Sequence, residues 1–193
     1  MGSDGVDRIL GKLDDCRFAA DAAHPALPGP FERGVEVEGE MSVKPLPEKI
    51  LWDIRAFVYR YFADTTHAPN VDETAARFVL SREEIASAYE ALHNRHALFL
   101  NPGTHDILMA NPFSGVETVF RVHADGKTYF ANCAWDSLGI PAALHADADI
   151  EAVCAQSGQP INLHVQKGQV SKSDVLVHFL VPFERWYDDL VFT

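Results

Sequence analysis

The sequence predicts an α+β protein: a winged-helix-like N-terminal helical domain, then a mixed β-sheet domain with a Cys-bearing helix. Three observations lead there. Apolar residues recur at helical spacing from Leu46 to the neighbourhood of Arg95. Short β-rich runs separated by Gly, Pro and Asp-Gly turns follow. Between two of these runs, "YFANCAWDSLGIPAALH" (residues 129–145) turns from an apolar strand into a helix at a lone cysteine.

Residues 1–45 read as an arm or linker. Ile9, Leu10 and Leu13 suit one face of a short helix, and "HPALPGPFERG" then breaks regularity with three prolines and two glycines. The winged-helix-like domain is assigned to residues 46–112. In "LPEKILWDIRAFVYRYFADT", Ile50, Leu51, Ile54, Phe57, Val58, Tyr61 and Phe62 share a helical face, and Pro47 suits a first turn. "VDETAARFVL" reads as a second, shorter helix. "SREEIASAYEALHNR" reads as a third, with Ser81 and Glu84 forming a capping-box signature. "ALFLNPGTHDILMANP" then gives two short strands around Pro102-Gly103.

The sheet domain is assigned to residues 113–193. "VETVFRVHADGKTYFAN" is a hairpin about Asp125-Gly126. The helix after Cys133 follows, then "DIEAVCAQSGQPINLHV" with a Ser-Gly-Gln-Pro turn, and a last β-rich run, "SDVLVHFLVP". No internal repeat or low-complexity tract interrupts this order.

Composition narrows the function. The 193 residues, 47% hydrophobic and 23% charged, are those of an ordinary globular chain. No apolar run approaches the roughly 18–20 residues that span a bilayer. The opening "MGSDGVDRILGKLDD" lacks the long apolar region of a secretory signal. Three widely spaced cysteines do not form a disulfide framework, so free thiols in a reducing cytoplasm are expected. Acids outnumber bases 28 to 16, for a net charge of −12. Nucleic-acid binding favours the opposite balance, so neither nucleic acid nor a membrane is an expected partner.

Cys133 holds the main functional question. If Asn132 caps the helix, Cys133 lies in its first turn, where free N–H groups and the helix dipole stabilise a thiolate. Asp136, three residues on, shares its face. A soft thiolate beside a carboxylic acid can hold a soft metal and deliver a proton to an atom bound to that metal. Equally, free cysteine often only packs, and an aspartate in a first turn is ordinary helix chemistry. Spacing leaves both readings open.

"YFANCAWDSLGIPAAL", continuing through "VCAQSGQPINLHV", resembles the core of the organomercurial (alkylmercury) lyase family. That family carries a Cys-x-x-Asp at the start of a helix, a Pro-Ala-Leu stretch, and a Cys-Ala-x-x-Gly-x-Pro turn leading into a strand. The resemblance covers about residues 46–193. It implies protonolysis of a carbon–mercury bond in a small organometallic substrate. Cys133 would be the mercury-binding nucleophile and Asp136 the proton donor, both in contact with the substrate mercury. Cys154 matches a structural cysteine of the family. No cofactor is implied; exogenous or cellular thiols would act as co-reactants that remove the mercury.

The resemblance also implies a second catalytic cysteine shortly after a Leu-x-Leu-Pro-like strand end. Here "FLVPFERWYDDLVFT" supplies that end at Pro182, Leu190-Val191-Phe192 would begin another strand, and the sequence stops at Thr193. The expectation is a shortened member without its second catalytic cysteine. Cys16 could take that place if the arm folds over the site, more readily than Cys154.

Two other readings remain. One is a winged-helix regulator that senses a metal or electrophile through Cys133, although its third helix sets Glu83, Glu84 and Glu90 against Arg82 and Arg95. The other is a non-catalytic soft-metal binder using Cys133 and Asp136. His93 and His96, three apart on a helix, lack the usual zinc ligand spacings. "HADGK" and "QKGQ" read as turns rather than phosphate loops. Trp52, Trp135 and Trp186 read as core or pocket walls, with Trp135 placed to shape an apolar pocket for an organic group.

Overall fold

The structure, a computed structural model, describes residues 45–179 and 181–186. Within them, three helices come first: α1 (Glu48–Thr65), α2 (Val71–Phe78) and α3 (Arg82–His93). The expected stripe on α1 is real, with Leu51, Ile54, Val58 and Phe62 buried. Pro47 sits one position earlier than expected, at the N-cap, where its missing N–H leaves nothing unsatisfied. Ser81 and Glu84 form the expected capping box on α3. Asn70 and Glu73 form a second one on α2.

Strands β1 (Phe99–Leu100), β2 (Ile107–Ala110) and β3 (Phe113–Ser114) make a small antiparallel sheet in that order. Gly115 ends it because nothing larger fits: a Cβ there would stand 2.0 Å from the Ile107 carbonyl oxygen. β3 also reaches beyond its own sheet. Phe113 bridges to Ala131, stacks on Phe62 of α1 at 5.3 Å, and meets the Tyr129 ring at 5.8 Å. One continuous core therefore runs from the helices through Phe113 into the second sheet.

That second sheet has five strands: β4 (Arg121–Ala124), β5 (Lys127–Phe130), β6 (Ala148–Val153), β7 (Pro160–Gln166) and β8 (Gln169–Val170). Their spatial order is β5-β4-β6-β7-β8. Asp125 and Gly126, both at positive φ, make the two-residue turn the sequence predicts between β4 and β5. Helix α4 (Ala134–Leu144) carries the chain from β5 to β6. Both of those strands flank β4, so each runs antiparallel to it. Every described pair in the sheet is antiparallel, which corrects the expected mixed sheet. A crossover that spans one intervening strand gives β5 and β6 the same direction without making them neighbours.

Residues 171–179 do not form the expected strand. They run as irregular chain past the short β8, with Val175, Leu176, Val177 and Phe179 exposed. Residues 183–185 form a 3₁₀ turn instead of extending a strand past Pro182. The arm, Cys16 and the Leu190-Val191-Phe192 stretch lie outside the described residues. Among those described, no helix is long and apolar enough to cross a membrane.

Candidate active site

The pair singled out from the sequence comes together at the start of α4. Cys133 is the N-cap itself, in extended conformation, and Asn132 stands one residue outside. This corrects the expectation that Asn132 caps the helix. Asn132 is engaged elsewhere: its Nδ2 lies 3.0 Å from Asn111 Oδ1, 3.1 Å from Asp136 Oδ2, 3.3 Å from the Phe113 carbonyl and 3.4 Å from the Pro112 carbonyl.

Cys133 and Asp136 are each half-buried and stand on the same first turn, close enough for each to shift the other's pKa. Burial pushes the Cys133 thiol above its ordinary range. The backbone N–H groups of Asp136 and Trp135 face the sulfur and oppose this, short of a cap hydrogen bond, while the Asp136 charge reinforces it. Burial likewise raises the Asp136 carboxyl, against the hydrogen bond from Asn132 and the nearby Cys133 thiol. The depressed thiol expected from the helix N-terminus is therefore not found. Desolvation and an adjacent carboxylate outweigh the partial charge of the helix end.

Two features of α4 make this arrangement possible. Gly139 lets the helix lie against the segment that carries Asn111, since a Cβ there would come within 3.0 Å of Pro112 Cβ. Ser137, buried, turns its hydroxyl back to the Ala134 carbonyl at 2.7 Å. The Asn111 segment is itself held from α1. Tyr59 donates to the Asn111 carbonyl at 3.0 Å, and Arg55 donates to the Tyr59 hydroxyl at 3.0 Å. Tyr59 feels the Asp136 charge as one of the influences raising its pKa, after burial. Sequence reasoning missed Tyr59 and Asn111, because their pairing with the site spans a separation that no local pattern encodes.

The remaining candidates sort differently. Cys154 follows β6 in the turn, half-buried, and the nearby Ser157 hydroxyl and the N–H groups of Ser157 and Gln156 lower its pKa. Trp135 is 58% exposed rather than buried, edge-on to Phe179 at 6.1 Å, and Phe179 stacks on Trp186 at 5.0 Å. Trp52 lies exposed on α1 and donates to Glu48. His93 accepts from the Leu100 N–H and packs against Phe99, which also stacks with His96. Among the described residues, no group of three or more His, Cys, Asp or Glu could hold a metal ion. A hollow of about 670 Å³ lies on β4 to β7, lined in part by His123, Lys127, Asp149 and His164. Neither Cys133 nor Asp136 borders it, so the pair stands out by its chemistry and not by concavity.

Comparison with known proteins falls on the same segment. Residues 113–192 match the family model described as alkylmercury lyase. Alkylmercury lyases of Bacillus cereus and Clostridium butyricum are each 33% identical to this chain over 70 residues, 35% of this chain and 32% of theirs. The matched segment thus spans about a third of the length of those relatives. Among solved structures, the mercury-bound form of MerB2 superposes with a TM-score of 0.54 at 26% identity, covering 67% of this chain and 61% of that one. Residues 113–192, which hold Asn132, Cys133 and Asp136, are thus the part of the chain that is similar to alkylmercury lyases.

Proposed function

We propose that this protein is an organomercurial lyase in which Cys133 captures the mercury and Asp136 protonates the departing carbon. The observation that carries the reading is the placing of the two half-buried side chains on the first turn of one helix, where each shifts the other's pKa, within the segment that matches the family model. At rest the thiol keeps its proton and leans on the carboxylate. An R–Hg⁺ cation displaces that proton, forming a sulfur–mercury bond, and Asp136 takes it up. The mercury–carbon bond then breaks with its electron pair going to carbon, which collects the proton from Asp136 as R–H. Asp136 returns to carboxylate, and mercury stays on Cys133 as a cation for solution thiols to remove.

In this reading a raised Asp136 pKa is an asset, because the acid must hold a proton until carbon needs it. The second thiolate that would weaken the mercury–carbon bond comes from exogenous thiol or from Cys16, which lies outside the described residues. A thiol-rich cytoplasm is the setting this chemistry requires.

Three helices followed by β1–β3 support the finer description of the N-terminal part as a winged helix. They do not favour a DNA-binding role. Arg82 is already paired with Asp72, and Arg95 with Glu48, so the two cations of that helical face serve carboxylates of the chain itself.

The test is incubation with phenylmercury and excess thiol, with benzene measured in the headspace and Cys133→Ser alongside. Benzene that disappears in the variant supports the reading. Mercury held at Cys133 with no benzene leaves a capture site only, and no mercury held at all removes Cys133 from the chemistry.

A further inference from the structure

We propose that Asn132 is a positioning residue, which holds the Asp136 carboxyl against Cys133 and fastens that pair to the helical part of the protein through the Asn111–Phe113 segment. The inference rests on the reading of Cys133 and Asp136 as the cleaving pair.

The amide nitrogen of Asn132 has two hydrogens and four acceptors within 3.4 Å. Three of those acceptors belong to Asn111, Pro112 and Phe113, and the fourth is Asp136 Oδ2. This crowd of oxygens fixes which way the amide faces. Turned over, Oδ1 would face the backbone carbonyl oxygens of Pro112 and Phe113, which have no hydrogen to give. In the orientation observed, Oδ1 is buried with no hydrogen-bond partner among the described residues. Native interiors rarely leave such an atom unsatisfied, and it is tolerated here where the same side chain secures the site's acid.

The support behind Asn132 is built in depth. Asn111, on the 111–113 segment, is held at its carbonyl by the Tyr59 hydroxyl, which Arg55 holds in turn while its Nε donates to the Ala97 carbonyl at 3.1 Å. The hydrogen-bonded chain therefore runs from α1 through Tyr59, Asn111 and Asn132 and ends at Asp136, beside the Cys133 thiol. Asn132 alone in that chain touches both the supporting segment and the acid. Reaction rates are sensitive to misplacements of about 1 Å at such a group, so losing the amide should slow the proton step without removing the mercury ligand.

The experiment uses the full chain, Asn132→Leu, Asp136→Asn and the double variant. Phenylmercury capture at Cys133 is read by intact-protein mass spectrometry. Benzene release is followed from the captured complex in a single turnover, and the Asp136 carboxyl by its ¹³C resonance. Asn132→Leu is expected to capture phenylmercury as the parent does, to release benzene at least about tenfold more slowly, and to shift the Asp136 resonance. The double variant should be no slower than Asp136→Asn alone, because Asn132 acts through the acid. An unchanged rate with an unmoved resonance overturns the assignment, and so does a slowing that adds in full to that of Asp136→Asn. If the parent captures phenylmercury but yields no benzene, or captures none, the lyase reading fails. The carboxyl resonance then decides alone: moved in Asn132→Leu, it supports the positioning role; unmoved, it overturns it. Should Asn132→Leu not fold, Asn132→Ser replaces it, with a hydroxyl too short for the four contacts.

Discussion

The Cys133 thiol and the Asp136 carboxyl stand together on the first turn of α4, each acting on the other's charge, and both hold their protons more tightly than they would in open solvent. Cys154 is in the opposite state, with the Ser157 hydroxyl and two backbone N–H groups favouring its thiolate. Near neutral pH, iodoacetamide should therefore label Cys154 before Cys133, since the thiolate is the reactive form. Asp136→Asn removes the like charge beside the sulfur and should speed labelling of Cys133 while leaving Cys154 unaffected. Peptide mapping against time reads both. Cys133 reacting ahead of Cys154 in the parent protein would contradict the dominance of burial over the helix N-terminus.

Asp136→Asn also separates capture from cleavage. Asparagine keeps the shape and can still accept from the thiol, but it has no acidic proton to give. Phenylmercury should bind Cys133 with unchanged stoichiometry, while benzene release falls by about 10²–10⁴, the usual contribution of a positioned general acid. Equal loss of binding and release would mean that the carboxyl mainly shapes the site.

Tyr89 gives the stability a visible alkaline limb. Fully buried against Thr74, its hydroxyl is pushed up to about 12 from an ordinary 10.0, chiefly by burial. The folded state then keeps a proton that the unfolded chain gives up first. The resulting stability is present below pH 10 and drains away as pH rises towards 12, to the extent of about 2–3 kcal/mol. Melting temperatures should fall over that interval, and fall less steeply in Tyr89→Phe. At neutral pH the variant should lose about 1–3 kcal/mol, because the buried Thr74 hydroxyl is left without its partner.

What the sequence made legible was local. The stripe on α1, the Ser81 box and the Asp125-Gly126 turn depend on residues a few positions apart, and the structure contains all three. The α+β class and the closeness of Cys133 to Asp136 follow from the same short-range logic. The electrostatics of that pair did not, since burial of a side chain depends on what packs over it from elsewhere in the chain. Asn111 reaches Asn132 across 21 positions and Tyr59 reaches Asn111 across 52. The run from Asp174 to Phe179 shows the converse: β propensity alone does not make a strand unless a neighbouring edge receives its hydrogen bonds.

Phe113 is where core and site share one residue. Its ring stacks on Phe62, meets Tyr129 and stands edge-on to Tyr59, while its carbonyl oxygen is one of the four acceptors around Asn132. Phe113→Ala opens a cavity at the junction of the two sheets and should cost about 3–5 kcal/mol by urea denaturation. Phe113→Leu, which refills much of the volume, should cost markedly less. The two variants should differ at the site as well. With the ring gone, the segment that carries Asn111 loses its anchor, and the hydrogen bonds to Asn132 slacken with it. Iodoacetamide labelling of Cys133, measured under conditions where both variants remain folded, should then quicken in Phe113→Ala and stay near the parent rate in Phe113→Leu. Equal labelling rates in the two would show that the Asn132 contacts hold their geometry without the ring packed behind them.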